Sequence, residues 1–332
     1  MDDERGDQQA FERFVDQHPS LVACDAPLAR HTSLRVGGPA RYLLESEDGG
    51  LVGLALAAAK RAGLSVLALG GGSNLLVAEG GFDGLVVKYS GNSYAVDERG
   101  GPNGVVTAAA GLAVANLARR LARAGWAGLE WASNVPGTIG GAAVNNAGAF
   151  GGCMANDLIG LELLDAAGRR SDLANADLEY AYRSSCLKRG EIGGVVVTAV
   201  RCRVRRDDPT AALARIAEYQ RLRTASQPRQ LSAGSVFANP ADDFAGRLIE
   251  VAGLKGRRVG GAEVSAHHAN FIVNPGGATA RDVYTLIRLT QETVWQRSRI
   301  WLRPEIQLVG TWSSQQLATV LEPPAGAAGE VA

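Results

Sequence analysis

No run of this chain stays apolar for long enough to span a bilayer, and its first residues, MDDERGDQQAFERF, are acidic and polar where a secretory leader would be basic and then apolar. Both absences point to a cytoplasmic protein with no membrane partner. An excess of charge is missing too: 34 Lys and Arg stand against 34 Asp and Glu, so no global field would draw the chain to nucleic acid. Cysteine is scarce. Cys24, Cys153, Cys186 and Cys202 are scattered, with no C-x-x-C pair and no histidine at zinc spacing, which reads as free thiols and gives no metal site. Internal repeats are absent as well.

What is present is a globular composition of 46% hydrophobic and 20% charged residues over a 332-residue chain, long enough for two or three domains. Residues 1–20 read as a helical or frayed leader. From "RYLLE" onward, short β-type runs alternate with helical ones: "LVGLALAAAKRAGL" is helical, "SVLALGGGSN" is a strand entering a glycine turn, and "GVVTAAAG" is a strand before the amphipathic "VANLARRLARAG". Gly125 is a plausible C-cap for that helix. The character changes at "RDDPTAALARIAEYQRLR", where Asp208 is an N-cap candidate and Pro209 suits the first helical position. The main boundary is expected there. Later come "ADDFAGRLIEVAGL" as a helix, "ANFIVN" as a strand, a long helix to "RSRI" and a last strand "PEIQLVG". The Ala-, Gly- and Pro-rich tail from residue 313 reads as mobile.

Much of the glycine falls in "RVGGPA", "LGGGSNLLV" and "NVPGTIGGAAVNNAGAFGG". Glycine lets backbone approach a ligand closely, and successive N–H groups can converge on an anion, so phosphate oxygens would fit there. Tight turns between packed strands would need the same glycines. A Rossmann fingerprint is missing, because Leu75 stands where its third glycine should be, and no Walker A sequence occurs. In "GSVFANP", Ser235 follows a glycine and can either start a strand from a turn or present a hydroxyl to a reacting atom.

Taken in order, "TSLRVGGPARYLLE", "LGGGSNLLV", "GLEWASNVPGTIGGAAVNNAGAFGG", "YRSS", "LSAGSVFANP", "LIEVAGLKG", "SAHHANFIVN" and "LRPEIQLVG" resemble the motifs of the UDP-N-acetylenolpyruvoylglucosamine reductase family, also called the UDP-N-acetylmuramate dehydrogenases. The match runs from about residue 30 to 310. It implies an α+β fold: an FAD-binding domain of the vanillyl-alcohol-oxidase (PCMH) type in two subdomains, 21–90 and 91–206, then a C-terminal α+β substrate-binding domain, 207–312. The spacing from "YRSS" to "GSVF" resembles the shorter form of the enzyme, which lacks an inserted substrate loop. No histidine stands in the turn Gly70–Asn74, so FAD is expected to be non-covalent. Asn134, Ala238 and His31 depart from the family pattern, which more often has Gly, a long polar residue and Asn at those places.

The resemblance also implies roles. NADPH would be the hydride donor and a UDP-sugar the substrate, with a peptidoglycan precursor as product and a monomer as the working form. No stretch resembles a dedicated NADP domain, so the nicotinamide and the substrate are expected to use one site in turn. The expected FAD contacts are Arg35 and Gly37; Gly70, Gly71, Gly72, Ser73, Asn74 and Leu75; and Pro136, Gly137, Thr138, Gly140, Gly141, Asn146, Ala147 and Gly148. Hydride addition to the substrate's methylene carbon leaves negative charge on the neighbouring carbon and its carboxylate. Ser235 would give that carbon its proton, Arg183 would offer a planar fork to the carboxylate, and Glu305 would polarise the intermediate. Tyr182, Asn239, Lys255, His268 and Asn270 are candidate substrate contacts. An altered flavoprotein oxidase and a catalytically silent nucleotide-binding scaffold are the competing readings. The presence of Ser235, Arg183 and Glu305 together argues against both.

Overall fold

A computed structural model of the chain describes residues 11–98 and 101–323, which divide into two units. The first unit takes the chain up to Ala26, Arg41–Gly71 and Asp83–Arg223; the second takes Pro27–Ala40, Gly72–Phe82 and everything from Thr224 onward. Strands and helices are mixed without regular alternation, as the expected α+β class requires.

The first unit carries two sheets. In the smaller, the strands run in the order Val22–Pro27, Pro39–Ser46, Phe82–Tyr89 and Ser65–Ala68, the last two parallel. The helix Gly49–Arg61 lies on the chain between the strands Pro39–Ser46 and Ser65–Ala68. Asp48 starts that helix by accepting from Gly50 and Leu51 N–H, and Val52, Ala55, Leu56 and Ala59 form its buried stripe. Residues 11–17 are helical, with Phe11 buried and its ring 5.0 Å from that of Tyr42; this part of the leader is packed rather than frayed. The larger sheet is antiparallel and centres on the long strand Val196–Arg206, flanked by Leu158–Leu164 and Asn103–Ala109. Val200, Cys202 and Val204 alternate inward along it, as one covered face requires. They meet Leu117 and Leu121 of the helix Val114–Arg123 in a shared core. Gly125, at φ 76°, ends that helix. The helix Pro209–Ser226 begins at Asp208, which accepts from Thr210 N–H. It groups with this unit up to Arg223, although composition places the boundary ahead of it.

In the second unit, an antiparallel sheet orders Leu231–Ser235, Phe271–Asn274, Ala262–Val264 and Arg258–Val259. The helix Ala280–Ser298, opened by a Thr279–Asp282 capping box, buries Val283, Leu286, Ile287 and Val294 in a core with Phe237, Ile249 and Ile272. A short parallel pair joins Leu75–Val77 to Gln307–Val309. The stretch read as a mobile tail holds a helix, Ser314–Leu321, capped by Ser313. Gln291, fully buried, donates to Val320 O at 2.8 Å and Leu302 O at 2.9 Å, and Tyr284 Oη lies 2.9 Å from Thr319 Oγ1. These long-range bonds oppose the low helix signal of the local composition. The remainder of that tail, and residues 1–10 of the leader, lie outside the described residues.

Candidate active site

In the first unit the glycines form a surface of backbone. A Cβ on Gly71 would lie 2.6 Å from Gly137 Cα, and one on Gly70 would lie 2.7 Å from Thr138 Oγ1, so these two glycine stretches touch where no side chain fits. Thr138 caps the short helix Ile139–Val144 by accepting from Gly141 N–H. Gly140 packs on Ala110, to whose carbonyl its N–H donates at 3.0 Å. A lining of peptide groups, with little side-chain bulk, suits close approach by phosphate oxygens. The residues present therefore fit a nucleotide cofactor.

Asn146 takes a left-handed φ of 43° and is buried. Its amide donates to Ala181 O at 2.8 Å and accepts from Ala155 N–H at 3.0 Å. These bonds tie the glycine segment to the loop carrying Tyr182 and Arg183. Three more bonds reinforce that tie: Tyr180 Oη to Ala143 O at 2.7 Å, Ser185 Oγ to Val144 O at 2.6 Å, and Arg183 Nη2 to Gly148 O at 2.9 Å. Arg183 itself has φ 54°, a strained conformation for a residue with a side chain. Lys188 Nζ donates to its carbonyl at 2.9 Å, and Arg189 bridges Glu179, Ser184 and Glu191 around the same loop. Tyr182 is 61% exposed beside it, with the guanidinium 5.8 Å from the ring centroid. Lys188 and Arg189 come after "YRSSCL", and only the bonds they make within this loop mark them out. Asn134, a departure from the family pattern, accepts from Arg119 Nη2 at 3.4 Å.

The second unit gathers Ser235, Glu305 and Asn74. Gly234, at φ 76°, and a register shift between Ser232 and Ser235 bulge the strand immediately ahead of the serine. Beyond the bulge, Glu305 N–H donates to Val236 O at 2.8 Å, which sets Glu305 one residue's reach from Ser235. Asn74 Nδ2 donates to Glu305 O at 3.1 Å and Gln307 N–H to Asn74 O at 3.0 Å, so the turn Gly72–Leu75 is fastened to the same place. Gly72 there permits φ 60°, where a Cβ would lie 2.0 Å from His31 O. Gly37, at φ 114°, leaves no room for a Cβ against Val77. Arg35 is exposed, with Nη1 on Arg30 O at 2.7 Å.

The remaining candidates divide. Asn239 Oδ1 accepts from Ala245 N–H at 3.1 Å, capping the following helix. Lys255 pairs with Glu250 at 2.7 Å. His268 is half-buried, stacks edge-on to Phe271 at 4.9 Å, and its burial lowers the pKa below the usual histidine range. Asn270 is only 4% exposed, and both ends of its amide are engaged by Phe237: Oδ1 accepts from Phe237 N–H at 3.0 Å and Nδ2 donates to Phe237 O at 2.8 Å. That amide faces the protein.

Among the described residues no helix is long and apolar enough to cross a membrane. A family profile described as "UDP-N-acetylenolpyruvoylglucosamine reductase, C-terminal domain" matches residues 227–309, and one described as "FAD binding domain" matches residues 47–174. The chain is 46% identical over 295 residues to the UDP-N-acetylenolpyruvoylglucosamine reductase of Chloroflexus aggregans, covering 88% of this chain and 98% of that one. Identity to the Chloroflexus aurantiacus enzyme of the same name is 45% over 294 residues, with 88% and 98% covered. The solved UDP-N-acetylenolpyruvylglucosamine reductase from Thermus caldophilus aligns at 34% identity and a TM-score of 0.72, over 86% of this chain and 97% of that one.

Proposed function

The chain belongs to the UDP-N-acetylenolpyruvoylglucosamine reductase family and is a flavin-dependent oxidoreductase; from that premise we propose that it reduces UDP-N-acetylenolpyruvoylglucosamine to UDP-N-acetylmuramate with NADPH as donor, as a cytoplasmic monomer in peptidoglycan precursor synthesis. FAD, bound without a covalent link, would supply the relay of hydride from the nicotinamide to the enolpyruvyl methylene carbon. The backbone surfaces at Gly70–Gly71 and Gly137–Gly141 would hold it. Ser235 gives a proton to the adjacent carbon, completing net addition of hydride and proton across the double bond. A hydroxyl is a weak acid, but the carbanion-like centre it meets is a strong base, so the transfer runs downhill. Arg183 holds the carboxylate that carries the developing charge, and Glu305 polarises the same centre.

The observation that supports this reading is the bulge immediately ahead of Ser235, beyond which Val236 O accepts from Glu305 N–H at 2.8 Å. It brings an alcohol and a carboxylate side chain into one neighbourhood, as the protonation step requires. The test is the visible spectrum of the purified protein under anaerobic conditions, taken before NADPH, after NADPH and after UDP-N-acetylenolpyruvoylglucosamine. Bleaching by NADPH and recovery of colour with that substrate are expected. Bleaching without recovery would refute the substrate, and a colourless protein that FAD cannot reconstitute would refute the cofactor.

A further inference from the structure

We propose that Asn270 is a positioning residue that sets Ser235 and Glu305 relative to each other by standing in for the strand that the bulge interrupts. The proposal rests on the functional reading for the roles of those two residues, but its structural half does not. Ser235 pairs with Phe271 as the last rung of its ladder. One step on, Val236 N–H donates to Asn270 O at 2.9 Å. After that rung the neighbouring backbone has turned away toward His268, to whose Nδ1 Asn270 N–H donates at 3.2 Å. Phe237 would then lose its ladder partner on this side while fully buried, at 2% exposure. The Asn270 amide, a donor and an acceptor on one planar group like a peptide unit, takes both Phe237 N–H and C=O.

The opposite side of the same two residues faces the segment that brings Glu305. Ala238 N–H donates to Arg303 O at 2.9 Å, Phe237 pairs with Pro304, and Val236 O accepts from Glu305 N–H. Val236 and Phe237 are thus held between Asn270 and residues 303–305. Their position fixes where the preceding serine and the adjoining glutamate lie. Because Gly234 is permissive and the strand is already shifted there, the backbone ahead of Ser235 leaves its placement open, and the amide adds to the Ser235–Phe271 rung in fixing it.

The test uses full-length N270D and N270L, each assayed in its two half-reactions by anaerobic stopped flow and by amide hydrogen exchange. In N270L, exchange at Phe237 and Glu305 is expected to quicken at least about tenfold. Recovery of colour with UDP-N-acetylenolpyruvoylglucosamine is expected to slow by about tenfold to a hundredfold, while bleaching by NADPH keeps the wild-type rate. In N270D the ionised carboxylate faces Phe237 O and cannot donate. Its substrate step should quicken as pH falls, because the protonated carboxyl again offers one donor and one acceptor, whereas the wild-type step should lack that rise. Wild-type rates for both variants, equal slowing of both half-reactions, or a pH profile for N270D parallel to wild type would overturn the proposal. If N270L does not fold, N270D alone decides through that profile. If wild type itself fails to react with the substrate, the functional reading falls, and unchanged exchange at Phe237 and Glu305 in N270D would then overturn the positional claim by itself.

Discussion

Replacing Arg215 by methionine is expected to lower stability at pH 7 by about 2 kcal/mol. Glu130 lies in "GLEWASN", just ahead of the glycine stretch, with its side chain 8% exposed. Its carboxylate accepts Gly128 N–H at 2.6 Å and Arg215 Nε at 3.0 Å, while Arg215 also reaches Asp207. Removing one partner of a buried pair costs about 3–5 kcal/mol, because the other charge is left without compensation. Arg215 is 38% exposed, so water can replace part of its contribution, which brings the figure down by about half. Methionine keeps the apolar stem and confines the change to charge and hydrogen bonding. The sign with pH follows from the carboxyl. Burial raises its pKa, but the bonds from Gly128 N–H and Arg215 outweigh that and leave it below the ordinary 4.5. A group depressed in the folded state stabilises fully above its unfolded pKa and loses that contribution as pH falls through the folded one. The gap between wild type and R215M in urea unfolding should be widest near neutrality and shrink below about pH 4. Adding Glu130→Gln to R215M should restore part of the loss, since the unpaired charge is then gone. A gap under about 0.5 kcal/mol at pH 7, or one that widens on acidification, would refute this reasoning.

Ser235→Ala should slow the return of colour with substrate by roughly 10²- to 10⁴-fold and leave bleaching by NADPH unchanged, and equal damage to both would remove the acid role. Arg183→Lys keeps the charge but loses the fork and the reach to Gly148 O; at least about a tenfold fall in kcat/KM for the enolpyruvyl substrate is expected, and full activity would count against its carboxylate role. With a disulfide reagent at pH 8, exposed Cys24 should react quickly. Buried Cys186, whose thiol burial raises, and Cys202, pushed up to about 12, should react only on unfolding. Rapid labelling of Cys202 in the native protein would contradict its burial.

Local features were legible wherever a few neighbouring residues decide the outcome. Asp208 and Pro209 open a helix, Gly125 closes one, and "ANFIVN" contains the strand Phe271–Asn274. The glycine stretches were equally visible, and Gly71 and Gly37 occupy places where a Cβ cannot fit. The roles of individual polar side chains were less so. Asn146 and Asn270 look, by motif, like ligand contacts, and their bonds to distant backbone segments were not legible there. Lys188 and Arg189 brace the loop at the left-handed Arg183, which no motif marked.

The sequence by itself determined the family, the α+β class and the positions where backbone must bend, since those depend on residue type and on spacing within one turn or strand. The grouping of Pro27–Ala40 and Gly72–Phe82 with the C-terminal third, the docking of the helix Ser314–Leu321 and the assembly of Ser235 with Glu305 came only from tertiary structure. Their determining bonds join residues far apart in the chain: 33 residues for Asn270 with Phe237 and 231 for Asn74 with Glu305. A buried peptide group must find a partner wherever the packed chain supplies one. Local spacing carries no record of which distant residue that will be.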